Sequence, residues 1–266
     1  MKKTKNKVAL VTMAKDEDFY IQEWIDYNLK LGFDAIYIYQ NNWHYKNQIP
    51  NDKVHFLEWN EDSTYPPSGN VWDWNRQSKC YNTFSRDYCE EYEWALFTDI
   101  DCFLTLKKHD NVKDFVSEYD EIEQTQILLN FAWFGDNGIT TFDENNTSVL
   151  ERFTKRWDKP HNFSYYQTVP MCKLHKNLKH SLHFVEGQWV DVDGLISQGV
   201  SRPDRLVTYD KVQVNHYYTK TLPEWHLKMK KTRAEGDVGF KNSLDGFALN
   251  NFNDVEDLYA LNFYKK

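Results

Sequence analysis

The sequence predicts an α/β fold in which helices flank a mostly parallel central sheet. Short apolar runs of strand length alternate with helix-like segments through the first part of the chain, and this alternation is typical of a doubly wound parallel sheet. Uncharged residues from Trp94 lead into Asp99-Ile100-Asp101, and apolar residues resume at Cys102, as expected for a strand that is buried on both faces and ends at the aspartates. A chain of 266 residues most simply forms one large domain, residues 1–266.

The first elements are predicted to form a strand–helix–strand unit. Val8–Met13 is an apolar run of strand length, and Ala35–Tyr39 is a second such run. Between them, Phe19–Leu31 has apolar residues at helical spacing and is followed by Gly32, a typical residue after the end of a helix. Two parallel strands joined by a helix imply a right-handed crossover.

The elements that follow keep this pattern and then become more mixed. A strand is predicted at Val54–Trp59, a loop at 60–72 and a helix at Trp74–Glu91. In the second half, helices are predicted at Asn111–Tyr119 (a short one), at Val149–Trp157 and from Pro223 to about Glu235. Strands are predicted at Gln126–Phe134 and Val212–Tyr218. The sequence contains no internal repeat and no clear linker.

Composition argues against several classes of protein. The formal net charge is −8, and no basic cluster resembles a nucleic-acid-binding surface, so no nucleic-acid partner is expected. No apolar run approaches the ~20 residues that span a bilayer, and the apolar stretch after the basic start is too short for a signal peptide. The cysteines Cys80, Cys89, Cys102 and Cys172 form no Cys-x-x-Cys pair, which favours free thiols. We therefore expect a cytosolic protein.

Asp99 and Asp101 are the first candidates for a chemical role. Residues two apart in an extended chain point to the same side, so both carboxylates would face one place at the end of the strand, where open α/β sheets bind ligands. Two close, half-buried carboxylates need a cation. Hard ions such as Mg²⁺ or Mn²⁺ take oxygen ligands and are usually completed by substrate phosphates. The pattern favours a metal-bridged phosphate site, and the alternative is an acidic turn on the surface.

A series of short motifs runs along most of the chain: Val11–Glu17, Glu23-Trp24, Gln77 with Tyr81-Asn82, Trp94–Leu104, Asn130–Gly138, Asn215–Lys220 and Asn253–Asp257. In this order and context they resemble the bacterial GT-A-fold glycosyltransferases of the family 2-like and family 92 type. The resemblance implies a Rossmann-like, mostly parallel sheet with a C-terminal helical extension. It also implies a nucleotide-binding half, residues 1–110, and an acceptor-side half, residues 111–266.

The same resemblance implies a metal-dependent enzyme. It would move a hexose from a nucleotide-diphosphate sugar, usually a UDP-sugar, to a glycan or glycolipid acceptor of a surface polysaccharide such as lipopolysaccharide or capsule. Mn²⁺ or Mg²⁺ would be its cofactor. The enzyme would work from the cytosolic side, with peripheral contact at the inner face of the membrane as one option.

The metal ligands expected from these considerations are Asp99, Asp101 and His216. Asp101 is the best candidate, whereas Asp99 either shares the ion, binds the ribose of the donor, or only caps the strand end. GT-A enzymes often bring a further ligand from a C-terminal segment, and by resemblance His216 matches it. His183 is the alternative ligand, and a purely structural role is the alternative for His216.

Donor binding is expected at Thr12, Lys15, Asp16, Glu17, Gln77, Asp99 and Lys220. A carboxylate of Asp16 or Glu17 would accept hydrogen bonds from uracil or ribose, although acids at a helix N-terminus are also favoured by the helix dipole. Lys220 would meet a phosphate as a point charge, and Gln77 matches a family position at the donor site. For these two residues, a solvated polar surface is the alternative.

Asp136 is predicted to be the base that an inverting transfer requires beside the acceptor hydroxyl. It lies in a Gly-Asp-Asn-Gly turn after a predicted strand, and such turns also favour Asp and Asn for backbone reasons. Asp191, Asp193 and Asp245 are alternatives, and a retaining reaction would need no such base.

Two positions depart from the family pattern. Cys102 stands where the family usually has Glu, which leaves a role on the acceptor side vacant or filled elsewhere. Asp16 stands where the family usually has Asn, which adds charge near the expected base or ribose. Further along, the cations of the last helix are expected to form a solvated face, with contact of Arg233 to a phosphate as the alternative; they are Lys228, Lys230, Lys231 and Arg233.

Two other functions compete with glycosyl transfer. A sugar-phosphate nucleotidyltransferase also pairs a parallel sheet with metal-binding acids, but it usually has a glycine-rich loop after the first strand, and residues 12–17 contain no glycine. A non-catalytic carbohydrate-binding protein would explain the aromatic content of 17%. In that case Trp43, Trp133 or Trp189 would stack on a sugar, and the alternative is packing.

Overall fold

Strands and helices alternate through the first part of the chain, as predicted. The computed structural model describes residues 7–61, 75–123, 126–158, 162–164, 167–197, 201–231 and 243–266. The strands are β1 Val8–Ala14, β2 Ala35–Gln40, β3 Val54–Glu58, β4 Trp94–Phe97, β5 Cys102–Leu106, β6 Gln126–Trp133, β7 Lys155–Arg156, β8 Asn162–Ser164, β9 Thr168–Lys173, β10 Trp189–Asp191, β11 Ile196–Ser197, β12 Ser201–Leu206, β13 Val212–His216 and β14 Val255–Glu256. The helices are α1 Ile21–Lys30, α2 Arg76–Tyr88, α3 Val112–Ser117, α4 Val149–Arg152, α5 Leu222–Lys230, α6 Leu244–Asn250 and α7 Tyr259–Lys265.

A mixed, mostly parallel sheet forms the centre of the fold. Its main path runs in the order β11-β10-β6-β9-β4-β1-β2-β3. The strands β4, β1, β2 and β3 are mutually parallel, which confirms the predicted strand–helix–strand unit. Antiparallel pairings enter with the second half, because β9 lies between β4 and β6. Off the main path, β13 pairs in parallel with β6 and antiparallel with β5.

The parallel strands are buried on both faces, which explains their unbroken apolar sequences. Along β1, Val8 and Leu10 belong to one buried cluster, whereas Ala9 and Val11 belong to another. Residues of α1 and α3 complete the first cluster, and residues of α2 complete the second. The α/β class is therefore confirmed, with helices on both faces of this part of the sheet.

The run Trp94–Leu104 forms two strands, and the first of them, β4, ends just before Asp99 and Asp101, as predicted. β4 ends at Phe97 and pairs with β1 and β9, whereas β5 begins at Cys102 and pairs with β13. The chain must change direction between these two sets of partners, so Asp99 and Asp101 lie in a turn. Strand alternation therefore does not determine where their side chains point.

The predicted helix at Val149–Trp157 is longer than the observed helix α4, Val149–Arg152. Helix α4 ends at Arg152, because the Oδ1 atom of Asn137 accepts hydrogen bonds from the backbone N–H groups of Thr154 and Lys155 at 3.2 and 2.9 Å. These residues lead into β7, which pairs with β14 near the C-terminus. Other expectations lie wholly or partly outside the described residues; they are the loop at 60–72, the start of the predicted helix at Trp74, and the residues from Arg233 to Glu235.

The C-terminal residues pack against the first half of the chain. Ala260 of α7 is buried, and the ring centroid of Phe263 lies 5.4 Å from that of Tyr27 in α1. The hydroxyl of Tyr27 donates to the carbonyl of Leu104 in β5 at 2.7 Å. One buried apolar cluster accordingly contains residues from both ends of the chain. No helix among the described residues is long and apolar enough to cross a membrane.

A buried ion pair holds the N-terminus of α5. Thr221 and Glu224 form a capping box there, and the guanidinium of Arg152 donates to both oxygens of Glu224 at 2.8 and 3.0 Å. The hydroxyl of Tyr20 also donates to this carboxylate, at 2.7 Å. Burial opposes ionisation of Glu224, but the hydrogen bonds from Arg152 outweigh it and lower the pKa of Glu224.

Replacing Arg152 is expected to destabilise the protein strongly. Arg152→Ala leaves the carboxylate of Glu224 buried without its cation, and breaking such a pair costs about 3–5 kcal/mol of unfolding free energy. Urea denaturation measures the loss. Lys265→Ala is the matched control, because the Lys265–Glu151 pair is 2.9 Å long but both side chains are more than half exposed; its loss should be only about 0.2–1 kcal/mol. Equal losses for the two variants would contradict the assigned role of Arg152.

Candidate active site

The turn between β4 and β5 holds the two aspartates in different surroundings. Asp99 is exposed as a residue, but its Oδ1 atom lies in a partly buried contact, where it accepts a hydrogen bond of 2.7 Å from the amide of Gln77. That amide also donates to the hydroxyl of Tyr81 at 2.7 Å. Loss of hydration and the charge of Asp101 raise the pKa of Asp99. The structure thus brings Gln77 and Asp99 together.

Asp101 lies deeper and contacts two basic side chains. Its Oδ2 atom accepts a hydrogen bond from the ammonium of Lys228 at 3.0 Å, and its Oδ1 atom lies 3.5 Å from Nε2 of His216. The side chain of Asp101 is only 13% exposed. Lys228 also donates to the carbonyl of Tyr218 at 2.9 Å and lies 3.9 Å from the centroid of that ring. Asp101 is therefore half of an ion pair.

His216 reaches Asp101 because of strand register. β13 pairs with β5 so that His216 lies opposite Cys102, the residue after Asp101. The backbone N–H of Tyr217 then donates to the carbonyl of Asp101 at 2.8 Å. The rings of Phe131 and Trp133 pack against the imidazole, with centroids 4.4 and 4.7 Å away. Packing thus fixes the orientation of this imidazole.

Burial and charge set the protonation states at Asp101. Burial alone would raise the pKa of Asp101, but the charges of Lys228, His216 and Lys220 hold it well below its usual range. Burial lowers the pKa of His216 and outweighs the opposing effect of Asp101, so the imidazole is neutral at pH 7 and able to act as a ligand. Burial also disfavours the charge of Lys228, but Asp101 outweighs burial and raises the pKa of Lys228.

Asp101 and His216 fit a divalent cation better than Cys102 does. These residues each offer a ligand atom, and the atoms lie within 4.8 Å of one another. Two neighbouring ligands of an octahedral ion at about 2.1 Å lie roughly 3 Å apart, close to the 3.5 Å between Asp101 and His216. Burial and the nearby carboxylates raise the pKa of the Cys102 thiol well above its usual value, and hard ions avoid neutral sulfur. Among the described residues, this group does not include Asp99.

A cleft of about 340 Å³ opens beside Asp101. Three segments surround it, namely the loop from β1 to α1, the strand end after β13, and helix α5. Its lining residues are Asp16, Glu17, Asp18, Phe19, Tyr20, Asp101, Tyr218, Thr219, Lys220, Glu224, Leu227, Lys228, Lys230 and Lys231. The structure thereby gathers four of the predicted site residues around one space, although they are far apart in the chain.

Lys220 is a buried cation that lines this cleft. It is 7% exposed, and among the described residues it forms no ion pair with a carboxylate. Its ammonium lies 4.6 Å from the ring centroid of Tyr20, and burial lowers the pKa of Lys220. A buried ammonium without a carboxylate partner is well suited to bind an anion.

Two residues at the cleft have an unusual backbone conformation. Asp16 has φ of 54° and Lys220 has φ of 51°, both in the left-handed region that non-glycine residues seldom adopt. Such conformations concentrate at functional sites, because the surrounding structure must hold them. Here Lys231 contributes, since its ammonium donates to the carbonyls of Lys15 and Asp16 at 3.2 and 2.7 Å and to the carboxylate of Glu17 at 2.8 Å.

Some predicted donor-site residues lie outside the lining of the cleft. Thr12 is fully buried within β1, and Lys15 contributes its carbonyl to Lys231. Gln77 lies at Asp99, and neither of these two residues lines the cleft. The donor contacts of Thr12, Lys15, Gln77 and Asp99 therefore stay predictions.

Asp136 lies in a turn that the C-terminal segment holds. Its Oδ1 atom accepts hydrogen bonds from the backbone N–H of Gly138 at 2.8 Å and from the amide of Asn253 at 3.1 Å. Its own N–H donates to the side chain of Asn251 at 2.8 Å. Asp136 is not among the residues that line the cleft, so its role as base stays a prediction. Asp136 does support the backbone of its turn, which was the alternative explanation for an aspartate at this position.

The other candidates occupy varied environments. The Nδ1 atom of His183 lies 3.2 Å from the carbonyl of Thr168, and His183 does not belong to the possible ligand group at Asp101. Trp189 and Trp43 are buried, as packing residues are. Trp133 is partly exposed and packs against His216. Of the three tryptophans, it is therefore the one beside the candidate site.

The prediction that the cations of the last helix form a solvated face is wrong for two of the lysines. Lys228 pairs with Asp101 and Lys231 pairs with Glu17, whereas Lys230 is exposed. Arg233 lies outside the described residues. A signal for this was present in the sequence, because Glu224, Lys228 and Lys231 recur at helical spacing and so share one face. What the sequence does not indicate is that this face meets Asp101.

The chain is similar to curated plant proteins named glycosyltransferase family 92. It is 24% identical to one from Arabidopsis thaliana over 155 residues, which cover 54% of this chain and 26% of the relative. For a relative from Ricinus communis, the identity is 25% over 196 residues, which cover 71% of this chain and 34% of the relative. For one from Oryza sativa subsp. japonica, it is 24% over 214 residues, which cover 79% of this chain and 34% of the relative. The chain thus spans about a third or less of the length of these relatives. No family profile matches it.

These similarities support the predicted resemblance to glycosyltransferases of family 92. The relatives are plant proteins, so they do not support the bacterial context that the resemblance suggested.

Alanine substitution of the two glycines near Asp136 should distinguish close packing from backbone strain as constraints on this turn. A Cβ atom at Gly135 would lie 2.3 Å from the carbonyl oxygen of Phe252, whereas one at Gly138 meets nothing within 4 Å. Gly138 instead has φ of 75°. We expect Gly135→Ala to lower the unfolding free energy by about 3 kcal/mol through overpacking, and Gly138→Ala by about 1–2 kcal/mol through backbone strain.

Chemical denaturation measures both losses. Each variant preserves the carboxylate of Asp136, so differences in stability report the turn itself. A smaller loss for Gly135→Ala than for Gly138→Ala would contradict the close packing of the turn against the C-terminal segment.

Proposed function

We propose that this chain, a distant relative of the family 92 glycosyltransferases, moves a hexose from a nucleotide-diphosphate sugar to a glycan acceptor. The observation that carries the proposal is the cleft at Asp101. Two lysines that line it, Lys220 and Lys228, approach the same space as Asp101, beside which His216 lies. Glycosyl transfer from a nucleotide-diphosphate sugar needs such a site, because the departing diphosphate gains negative charge in the transition state.

Lys220 and Lys228 would bind the diphosphate of the donor. Lys220 has no competing carboxylate partner among the described residues, so it offers its charge directly to a phosphate oxygen. Asp101 and His216 would hold a divalent ion, Mn²⁺ or Mg²⁺. When bound there, such an ion would supply Lewis-acid stabilisation of the leaving group. Together these groups would neutralise the charge that develops as the sugar departs.

The loop after β1 would bind the nucleoside. Asp16 is exposed at the cleft, and its carboxylate would accept hydrogen bonds from ribose hydroxyls or from uracil. Glu17 is already paired with Lys231, so its main contribution would be to hold this loop against α5. Asp99, which accepts from Gln77, would bind a ribose hydroxyl more readily than the ion, because it lies outside the group of possible ligands at Asp101.

The remaining features of the proposal concern the acceptor and the setting. We assign the nucleotide half to residues 1–110 and the acceptor side to 111–266, within one GT-A-like domain with a C-terminal helical extension. Asp136 stays our candidate for the base. Trp133, partly exposed beside His216, is a candidate platform for a sugar ring. A glycan or glycolipid of a surface polysaccharide, reached from the cytosolic face of a membrane, is the proposed acceptor.

Nucleotide binding provides the first test. We expect UDP and UDP-sugars, with Mn²⁺ present, to stabilise the protein by about 2.7 kcal/mol at a hundred times the dissociation constant, or roughly 5–10 °C in Tm. The shift should require the metal and disappear in Asp101→Ala. Differential scanning fluorimetry with UDP-, GDP- and dTDP-sugars measures it.

The control is Asp87→Ala, which removes an exposed carboxylate on α2 that does not line the cleft. This variant should keep the full shift. Stabilisation by nucleoside triphosphates alone would contradict the proposal and favour a nucleotidyltransferase. Normal turnover of a UDP-sugar by Asp101→Ala would remove the role assigned to Asp101.

A second test addresses Lys220. Lys220→Met removes the charge but keeps the Cβ atom, so the backbone strain at this position is unchanged. We expect the dissociation constant for UDP to rise about 30-fold or more, as when a buried charge loses its partner. Isothermal titration calorimetry measures this change, and Lys46→Met, at an exposed residue outside the cleft, should leave it unaltered. Equal affinities for the Lys220→Met and Lys46→Met proteins would exclude a phosphate contact by Lys220.

A further inference from the structure

We infer that Lys228 exchanges partners during the catalytic cycle: it neutralises Asp101 in the free protein and moves to the donor's diphosphate when a divalent ion binds Asp101. The inference rests on the proposed function and adds a residue and an order of events to it. It predicts that the metal ion and the nucleotide bind cooperatively, and that Lys228 is one source of this cooperativity.

The contacts of Asp101 place Lys228 in competition with a metal ion for one carboxylate. Lys228 donates to one carboxylate oxygen at 3.0 Å, while the other oxygen faces the Nε2 atom of His216. An ion held by Asp101 and His216 would therefore share a single carboxylate with the ammonium of Lys228. Lys220 adds a second ammonium at the same cleft. Two like charges around one anion repel each other.

The charge around Asp101 favours joint binding of ion and nucleotide. In the free protein, the negative charge of Asp101 is already balanced by Lys228, and Lys220 lies at the same cleft without an ion pair to a carboxylate of the described residues. A divalent ion alone would add two more positive charges to a half-buried site, which is unfavourable. A diphosphate brings the negative charge that both the ion and the released ammonium need.

Lys228 is placed for such a move, whereas its neighbours are not. Its side chain is 28% exposed and lines the cleft next to Tyr218 and Lys220. A long, flexible ammonium side chain can rotate from Asp101 into this space. Lys231 is held by three acceptors of the β1–α1 loop, and Lys230 has no carboxylate partner among the described residues to release.

Mn²⁺ binding without nucleotide tests the first half of the inference. Electron paramagnetic resonance measures free Mn²⁺ during titration of the wild-type protein, Lys228→Met and Lys228→Gln. Removing the competing ammonium should tighten Mn²⁺ binding by about tenfold in both variants. Lys46→Met is the control, because it removes the same charge from an exposed residue outside the cleft, and it should change the affinity by less than about threefold.

UDP binding in saturating Mn²⁺ tests the second half. Lys228→Met should bind UDP about tenfold more weakly than the wild type, because the diphosphate loses one ammonium. The factor by which UDP tightens Mn²⁺ binding should fall accordingly, since the two ligands are linked reciprocally. Lys228→Arg keeps the charge and should restore most of this coupling. Circular dichroism checks that each variant is folded, and Lys228→Gln replaces Lys228→Met if the latter is not.

The outcomes are distinct. Mn²⁺ affinity that is unchanged or weaker in both Lys228→Met and Lys228→Gln overturns the inference. Tighter Mn²⁺ binding with unchanged UDP affinity also overturns it, because the ammonium would then compete for Asp101 without reaching the phosphate. Failure of the wild type to bind UDP would instead reject the proposed function. If wild-type UDP binding requires Mn²⁺ and Asp101 but is indifferent to Lys228, only the inference fails.

Discussion

The antiparallel pairing of β13 with β5 is the constraint on which the candidate site depends. Its register sets His216 opposite Cys102 and therefore beside Asp101. The chain leaves β13 directly at the cleft and then enters α5, which carries Lys228 back to the same carboxylate. A shift of this register by one residue would exchange the faces of every side chain in β13. His216 would then leave Asp101, and the entry to α5 would move with it.

The contacts that stabilise α5 also position Lys228 at the candidate site. The pair of Arg152 and Glu224 secures the start of this helix, and the contacts of Lys231 secure its end against the β1–α1 loop. Between these two anchors lies Lys228. The ion pairs at both ends thus hold in place a helix whose middle faces the cleft. The left-handed backbone at Asp16 and Lys220 is consistent with a site whose geometry is maintained by its surroundings rather than by local preference.

The departures from the family pattern acquire a physical meaning in this arrangement. Cys102 is buried, and burial raises the pKa of its thiol, so it contributes a neutral group where a carboxylate is usual. Asp101 contacts Lys228 and His216, so in the proposed function an anionic ligand, rather than a metal ion alone, would complete the charge balance.

Much of this protein follows from the sequence by itself. Apolar runs and helical spacing predicted the strand–helix–strand unit, the α/β class and the place of β6 and β13. They could do so because the spacing of apolar side chains along the chain follows from which faces of a helix or strand are buried. The motifs also pointed to Asp101, His216, Asp16, Glu17 and Lys220. Only the tertiary structure decided that the run Trp94–Leu104 breaks into two strands, that Asp101 and Asp99 have different partners, and that Lys228 is not a solvated lysine. These facts depend on which strand pairs with β5 and which helix face packs over it, and such contacts join residues more than a hundred positions apart, beyond the reach of any local pattern.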